Sequence, residues 1–133
     1  MIPEFDENGY LPPGIHRATF DEIAERFGRE SEIRRVEMES LRWLVDAAVR
    51  AGVERIVING SFVTDVLEPN DVDCVVLPGP SVPLDATAEE ELFEGFPFLD
   101  VHVVDQVAFD WLVGSFFAAS RDFTPKGMIE VML

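Results

Sequence analysis

Two aspartates, Asp71 and Asp73, lie one residue apart at the start of an apolar segment, shortly after the pair Gly60-Ser61. Alternate residues of a β-strand point to the same face, so we expect the two carboxylates to stand side by side. Like charges at that spacing repel each other, and burial adds a cost to each charge. The pattern therefore predicts a cation between the two carboxylates.

A third aspartate, Asp100, lies in another apolar segment, between Leu99 and Val101. If its strand lies beside the strand of Asp71 and Asp73, the three carboxylates converge at one edge of the sheet. Clusters of oxygen ligands alone suit Mg²⁺ or Mn²⁺. Two such ions can hold the attacking and leaving oxygens of a phosphoryl-type displacement. Asp100 would then accept the proton of the incoming hydroxyl.

The pair Gly60-Ser61 follows an apolar segment and supplies a candidate phosphate site. A glycine after a strand lets the backbone approach a ligand closely. Ser61 is expected to begin a helical turn, whose free N–H groups favour a phosphate, and its hydroxyl adds one donor. A plain helix cap explains Ser61 equally well. Asn59 and Asn70 suit either support of the turn or a role in shaping the metal site, and the turn suffices to explain both.

The rest of the sequence predicts the elements that position these residues. Thr19 and Glu22 form a capping box, Ser31 caps a second helix, and Gly52 ends it. Apolar periodicity predicts helices over 20–27, 32–51, 86–94 and 107–119, and strands over 55–59, 71–77, 98–104 and 128–132. We expect an extended N-terminal arm over 1–18. Residues 19–133 then form a single α/β (α+β) domain with a short mixed sheet of about three to five strands flanked by helices.

Structural explanations compete with the chemical ones. Asp71 and Asp73 would also suit a solvated edge strand, and Asp100 a salt bridge. His102 shares a face with Asp100 by alternation, and a packed or exposed histidine is favoured there over a substrate role. Solvated loop charges explain Arg121 and Lys126 better than phosphate contacts do.

The chain has 133 residues with 26 acidic and 10 basic side chains, a formal charge of −16. Such a field opposes non-specific binding to nucleic acids and suits a basic protein partner. The sequence contains no apolar run near the roughly 20 residues of a membrane span, and its first residues form no apolar signal segment. We therefore expect a cytoplasmic protein that does not bind membranes. The single Cys74 excludes an intrachain disulfide and a cysteine-based zinc site.

Three motifs in fixed order carry a resemblance: Gly60-Ser61, Asp71-Val72-Asp73 and Leu99-Asp100-Val101. The set resembles the nucleotidyltransferase superfamily related to DNA polymerase beta, and more narrowly its minimal bacterial and archaeal members, over residues 53–104. The flanking segments 5–28 and 125–133 are similar to short bacterial proteins described only as nucleotidyltransferase-like. The resemblance implies a polymerase beta-like core. Gly60 and Ser61 would bind the nucleotide, and the three aspartates would hold the metals.

The resemblance implies a metal-dependent enzyme that moves a nucleoside monophosphate from an NTP to a hydroxyl of a protein, an RNA or a small molecule. Its cofactor would be Mg²⁺ or Mn²⁺, and a toxin–antitoxin or defence pair is one setting. Many minimal members have a basic residue after Gly-Ser, where this chain has Phe62 and Val63. Neutralisation of the triphosphate would then come from the metals, from backbone donors, or from Arg121 and Lys126 in the C-terminal segment.

Two other functions remain open. The charge and the missing basic residue suit a non-catalytic acidic antitoxin or interaction module with the same fold. A degenerate subunit that lends its fold to a homo-oligomer is a third reading. Neither requires the aspartates to bind metal.

Overall fold

One mixed sheet forms the centre of the computed structural model, which describes residues 1–116, 118–119, 122 and 124–133. In chain order its strands are β1 (Ile15–Ala18), β2 (Arg55–Asn59), β3 (Val72–Leu77), β4 (Leu99–Val103) and β5 (Met128–Val131). They lie in the order β1-β5-β2-β3-β4. β2 is antiparallel to β3 and β5, whereas β1 is parallel to β5 and β4 is parallel to β3. The predicted α/β (α+β) domain with a short mixed sheet is confirmed.

Four α-helices flank the sheet in the described part of the chain: α1 (Phe20–Phe27), α2 (Glu32–Ala51), α3 (Ala86–Glu94) and α4 (Gln106–Trp111). A three-residue 3₁₀ helix, Ser61–Val63, follows β2, and a π-helical segment, Leu112–Phe116, continues α4. The helix predicted over 107–119 begins one residue earlier, because the side chain of Asp105 accepts the Ala108 N–H and caps α4.

The caps read from the sequence fix α1 and α2. Thr19 and Glu22 form the predicted capping box, with each side chain accepting the other residue's backbone N–H. The Ser31 hydroxyl accepts the Arg34 N–H at the start of α2, and Gly52 ends that helix in the left-handed region at φ 85°. Both helices have the predicted bounds, which confirms that local signals determine them.

Apolar side chains cover both faces of the sheet. Val72, Cys74 and Val76 of β3 belong to the larger core, to which α1, α2 and α3 contribute. Val75 and Leu77 point to the opposite face and pack with α4. Because side chains alternate along a strand, Asp73 lies on the α4 side, at the start of β3. The α4 side also carries the ion pair between Arg55 of β2 and Glu130 of β5, so the aspartates are not its only charged groups.

Residues 15–18, which the sequence placed in an extended arm, form the edge strand β1 against β5. The preceding residues contact the segment after the 3₁₀ helix, because Tyr10 bridges to Thr64 and the Asp65 N–H donates to Gly9 O at 3.0 Å. The described part of the chain contains no helix with the length and apolar character needed to cross a membrane.

Candidate metal centre

Three aspartates from two neighbouring strands meet at one edge of the sheet. Asp73 of β3 pairs directly with Asp100 of β4, and Asp71 immediately precedes β3. Each side chain offers one carboxylate oxygen, and these oxygens lie within 4.8 Å of one another. The structure thus brings together Asp71, Asp73 and Asp100, as the sequence predicted.

The electrostatics of this cluster favour a cation. Asp73 is half-buried, whereas 54% of the Asp100 side chain is exposed. Burial, together with the charges of Asp71 and Asp100, raises the pKa of Asp73 to about 6. His102 lies on the same face as Asp100, with its Nε2 3.4 Å from the Asp100 Oδ2, and it acts in the opposite direction on Asp73. A bound cation would relieve the repulsion that raises this pKa.

The donor set suits a hard divalent ion. Ligands at 2.0–2.1 Å from Mg²⁺ are separated by about 3 Å when adjacent and about 4 Å when opposite. The 4.8 Å that encloses the three oxygens is slightly wider than one such shell, and small side-chain rotations would close it. The cluster could therefore hold a metal ion.

Gly60 is the residue that makes room for Asp73. It follows β2 with φ 80°, in the region that favours glycine. A Cβ atom built on Gly60 would lie 2.1 Å from the Asp73 Oδ2. The glycine in the Gly-Ser pair is thus required by the packing of a candidate metal ligand, which adds to the predicted close approach of a substrate.

Replacing Gly60 with alanine is expected to displace the Asp73 carboxylate. We expect at least a tenfold weaker Mn²⁺ affinity, measured by calorimetric titration, and a lower melting temperature. Gly95→Ala is the matched control, because Gly95 has a similar φ of 87° but a Cβ there meets no atom within 4 Å. It should lose stability through backbone strain while keeping its metal affinity. Equal Mn²⁺ affinity in the two variants would contradict this role of Gly60.

The turn after Gly60 differs in part from the phosphate site that the sequence predicted. Ser61 is half-buried and begins only a three-residue 3₁₀ helix. The N–H groups of Val63 and Thr64 donate to Gly60 O and Ser61 O, because the tight 3₁₀ turn bonds each of them three residues back. Those two donors are therefore occupied within the turn, and any phosphate contact from this segment must use others.

Of the two basic residues considered for contacts to the triphosphate, the structure describes only Lys126. Lys126 is half-buried and precedes β5, and its backbone N–H donates to Ala118 O at 3.0 Å. Since β5 runs antiparallel to β2, the start of β5 lies at the same sheet edge as Gly60. Arg121 lies outside the described residues.

Arg34 of α2 is a residue that sequence reasoning missed. Only 2% of it is exposed, and its guanidinium donates to four backbone carbonyls, one at the end of α1 and three in the segment after Gly60-Ser61. The acceptors are the oxygens of Phe27 at 3.0 Å, Phe62 at 2.7 Å, Thr64 at 2.9 Å and Val66 at 2.6 Å. Arg34 therefore fixes the backbone of the segment after Gly60-Ser61. Its N–H groups donate to protein carbonyls, so they are not available to a phosphate.

The sequence did contain a signal for this burial. Arg34 precedes the buried Met38 by four positions and the buried Leu41 by seven, so it lies on the apolar face of α2. Glu37 on the same helix is fully buried, and both its carboxylate oxygens have no hydrogen-bond partner among the described residues. Burial raises the pKa of Glu37 to about 7, aided by the charge of Asp71 and opposed by Arg34.

The fold and the site define a single small mixed α/β domain with an aspartate cluster at one sheet edge. The chain belongs to a family of unknown function, DUF6932, whose sequence pattern matches residues 3–132. No curated protein and no solved structure matches the chain.

Proposed function

We propose that this protein is a metal-dependent nucleotidyltransferase that transfers a nucleoside monophosphate from an NTP to a hydroxyl acceptor and releases pyrophosphate. The observation that carries the proposal is the approach of the Asp71, Asp73 and Asp100 oxygens to within 4.8 Å beside a glycine turn. The order of these motifs resembles that of polymerase beta-like nucleotidyltransferases. The proposed cofactor is Mg²⁺ or Mn²⁺, and the acceptor is a protein, an RNA or a small molecule.

Each residue has a distinct role in this proposal. Asp71 and Asp73 would hold the divalent ions, which would supply neutralisation of the phosphate oxygens. Asp100 is the most exposed of the three acids. It accepts the proton of the acceptor hydroxyl while the oxygen of that hydroxyl bonds to the α-phosphorus. The bond between the α-phosphorus and the oxygen that bridges to the β-phosphate breaks, and pyrophosphate leaves. Ser61 and Lys126, at the same edge, are the proposed contacts to the triphosphate.

The test combines metal binding with transfer. Mn²⁺ at ten times its dissociation constant stabilises a native-only binder by about 1.4 kcal/mol, which raises the melting temperature by a few degrees. We expect this shift in the wild type, together with Mn²⁺-dependent transfer of label from α-labelled NTPs to protein or RNA of a lysate. Asp71→Ala should lose both. Unchanged labelling in Asp71→Ala would refute the assignment.

The charge supports a second candidate, a non-catalytic acidic antitoxin or interaction module that binds a basic protein. One supporting observation is the formal charge of −16. The other is that the Arg34 guanidinium donates to backbone carbonyls and is therefore not available to a triphosphate. Such a complex should weaken as salt rises and should survive Asp73→Asn. A complex that Asp73→Asn abolishes would favour the metal-dependent function instead.

A further inference from the structure

Asn59, the last residue of β2, has a buried side chain without hydrogen bonds. Only 1% of Asn59 is exposed, and neither its Oδ1 nor its Nδ2 has a partner among the described residues. The sequence interpretation, in which Asn59 supports the turn, therefore does not account for its side chain. Buried carboxamides in native proteins almost always have partners, so a group that can both accept and donate is expected beside Asn59.

The pairing of the strands directs Asn59 towards the aspartate cluster. Asn59 lies directly opposite Asp73 in the antiparallel β2–β3 pair. Directly opposite residues point to the same face, with their Cβ atoms about 4.5–5.5 Å apart. Because Asp73 is in turn paired with Asp100, the three residues form one row across three adjacent strands. The unpartnered carboxamide thus adjoins the proposed metal ligands.

We propose that Asn59 is a positioning residue of the metal centre. When a divalent ion is held, its Nδ2 would donate to the Asp73 carboxylate and its Oδ1 would accept an O–H from a water, two bonds that the metal-free structure does not contain. Hydrogen bonds of this kind orient metal ligands and typically change metal affinity by about 10–100-fold. The inference rests on the proposed metal binding, but it does not depend on nucleotidyl transfer.

The chemistry of the site explains why a carboxamide suits this position. A carboxylate would add a fourth negative charge to a cluster in which the pKa of Asp73 is already raised. An aliphatic side chain would fill the same space but offer no donor to Asp73 and no acceptor to a metal-bound water. Asparagine supplies both groups and remains neutral.

The first experiment observes the side chain directly in the wild-type protein. The chain contains four side-chain carboxamides: Asn8, Asn59, Asn70 and Gln106. During titration with Mg²⁺, we expect the Asn59 NH₂ resonances to shift with the same dissociation constant as the Asp73 backbone amide. Asn8 and Gln106 are internal controls, since Gln106 Nε2 already donates to Asp110 Oδ1 at 2.8 Å. Their resonances should not move.

The second experiment uses Asn59→Leu, which preserves the shape of the side chain. The variant removes two buried polar atoms without partners, so its metal-free melting temperature should equal or exceed that of the wild type. Its Mn²⁺ dissociation constant should rise about 10–100-fold. The same substitution at the exposed Asn8 should leave metal affinity unchanged. A purely structural role for Asn59 predicts the opposite result, a lower melting temperature with unaltered metal affinity.

The outcomes separate this inference from the proposed function. If Mg²⁺ shifts the backbone amides of Asp73 and Asp100 while the Asn59 NH₂ stays fixed, and Asn59→Leu binds Mn²⁺ like the wild type, the positioning role is overturned and the metal site stands. If Mg²⁺ shifts no resonance of the site, both proposals fail.

Discussion

Asp73→Asn is expected to abolish nucleotidyl transfer and, at the same time, to stabilise the metal-free protein. The amide has the shape of the carboxylate but lacks the charge that binds a divalent ion, so we expect at least a thousandfold loss of transfer. The stabilisation follows from the raised pKa of Asp73, about 6 in the folded protein, against about 4 in an unfolded chain. At pH 7.5 this difference costs the native state on the order of 1–2 kcal/mol, because solvent screens the charge of the half-buried Asp73.

The pH dependence gives the sign of the effect. Between pH 4 and pH 6 the folded protein binds more protons at Asp73 than the unfolded chain does. Proton binding by Asp73 therefore stabilises the metal-free wild type at low pH. This stabilisation is lost as pH rises through this range, and it does not return above pH 6. The variant lacks this contribution, so its advantage in melting temperature should be larger at pH 7.5 than at pH 4.5. Metal affinity of the wild type should fall as pH drops below about 6, because protons compete for the same carboxylate.

Melting curves at the two pH values and transfer of label from NTPs measure the two effects. Glu90→Gln is the matched control, since it removes the same charge from an exposed position on α3. It should change neither transfer nor the pH dependence. Mn²⁺-dependent transfer retained by Asp73→Asn, or a lower metal-free melting temperature at pH 7.5, would contradict the prediction.

Arg34→Met should destabilise the protein by about 3–5 kcal/mol, because each buried acceptor that is left without a donor costs about 1–3 kcal/mol. Three carbonyl oxygens after the Gly-Ser turn and one at the end of α1 would lose their donor. In addition, the fully buried Glu37 would lose the cation that opposes its raised pKa. A loss of this size is a large fraction of the stability of a typical domain.

A double variant separates these two causes. In Arg34→Met/Glu37→Leu the lone buried carboxylate is gone, so the double variant should be more stable than Arg34→Met alone. Urea unfolding at pH 8, above the pKa of Glu37, measures the difference. Arg35→Met is the control, because Arg35 is exposed and should tolerate the change. An unchanged urea midpoint in Arg34→Met, or a double variant less stable than the single one, would overturn this account.

The sequence predicted the helix ends and the meeting of the aspartates, because short-range interactions determine these features. Thr19, Ser31 and Gly52 fix the ends of α1 and α2 because the caps bond backbone groups within the same turn. The convergence of Asp71 and Asp73 follows from alternation along one strand. The approach of Asp100 needed only the assumption that two apolar strands are neighbours, and β3 and β4 are.

Tertiary interactions explain what the sequence could not predict. β1 contains a single fully buried residue, Ala18, so no apolar periodicity predicts this strand. Its partner β5 lies far along the chain. The acceptors of Arg34 are backbone carbonyls whose positions depend on the folded turn. The contact between Gly60 and Asp73, like the burial of Asn59, depends on the register of β2 against β3.

The position of β5 between β1 and β2 has a consequence for how the chain folds. The strands from β2 to β4, which carry the aspartates, are neighbours in both sequence and space. In contrast, β1 pairs with a segment that follows it by roughly a hundred residues. Closing so long a loop costs conformational entropy before the stabilising contacts can form. High contact order should therefore limit the folding rate at this side of the sheet. Until β5 docks, one side of β2 exposes unpaired backbone to neighbouring chains.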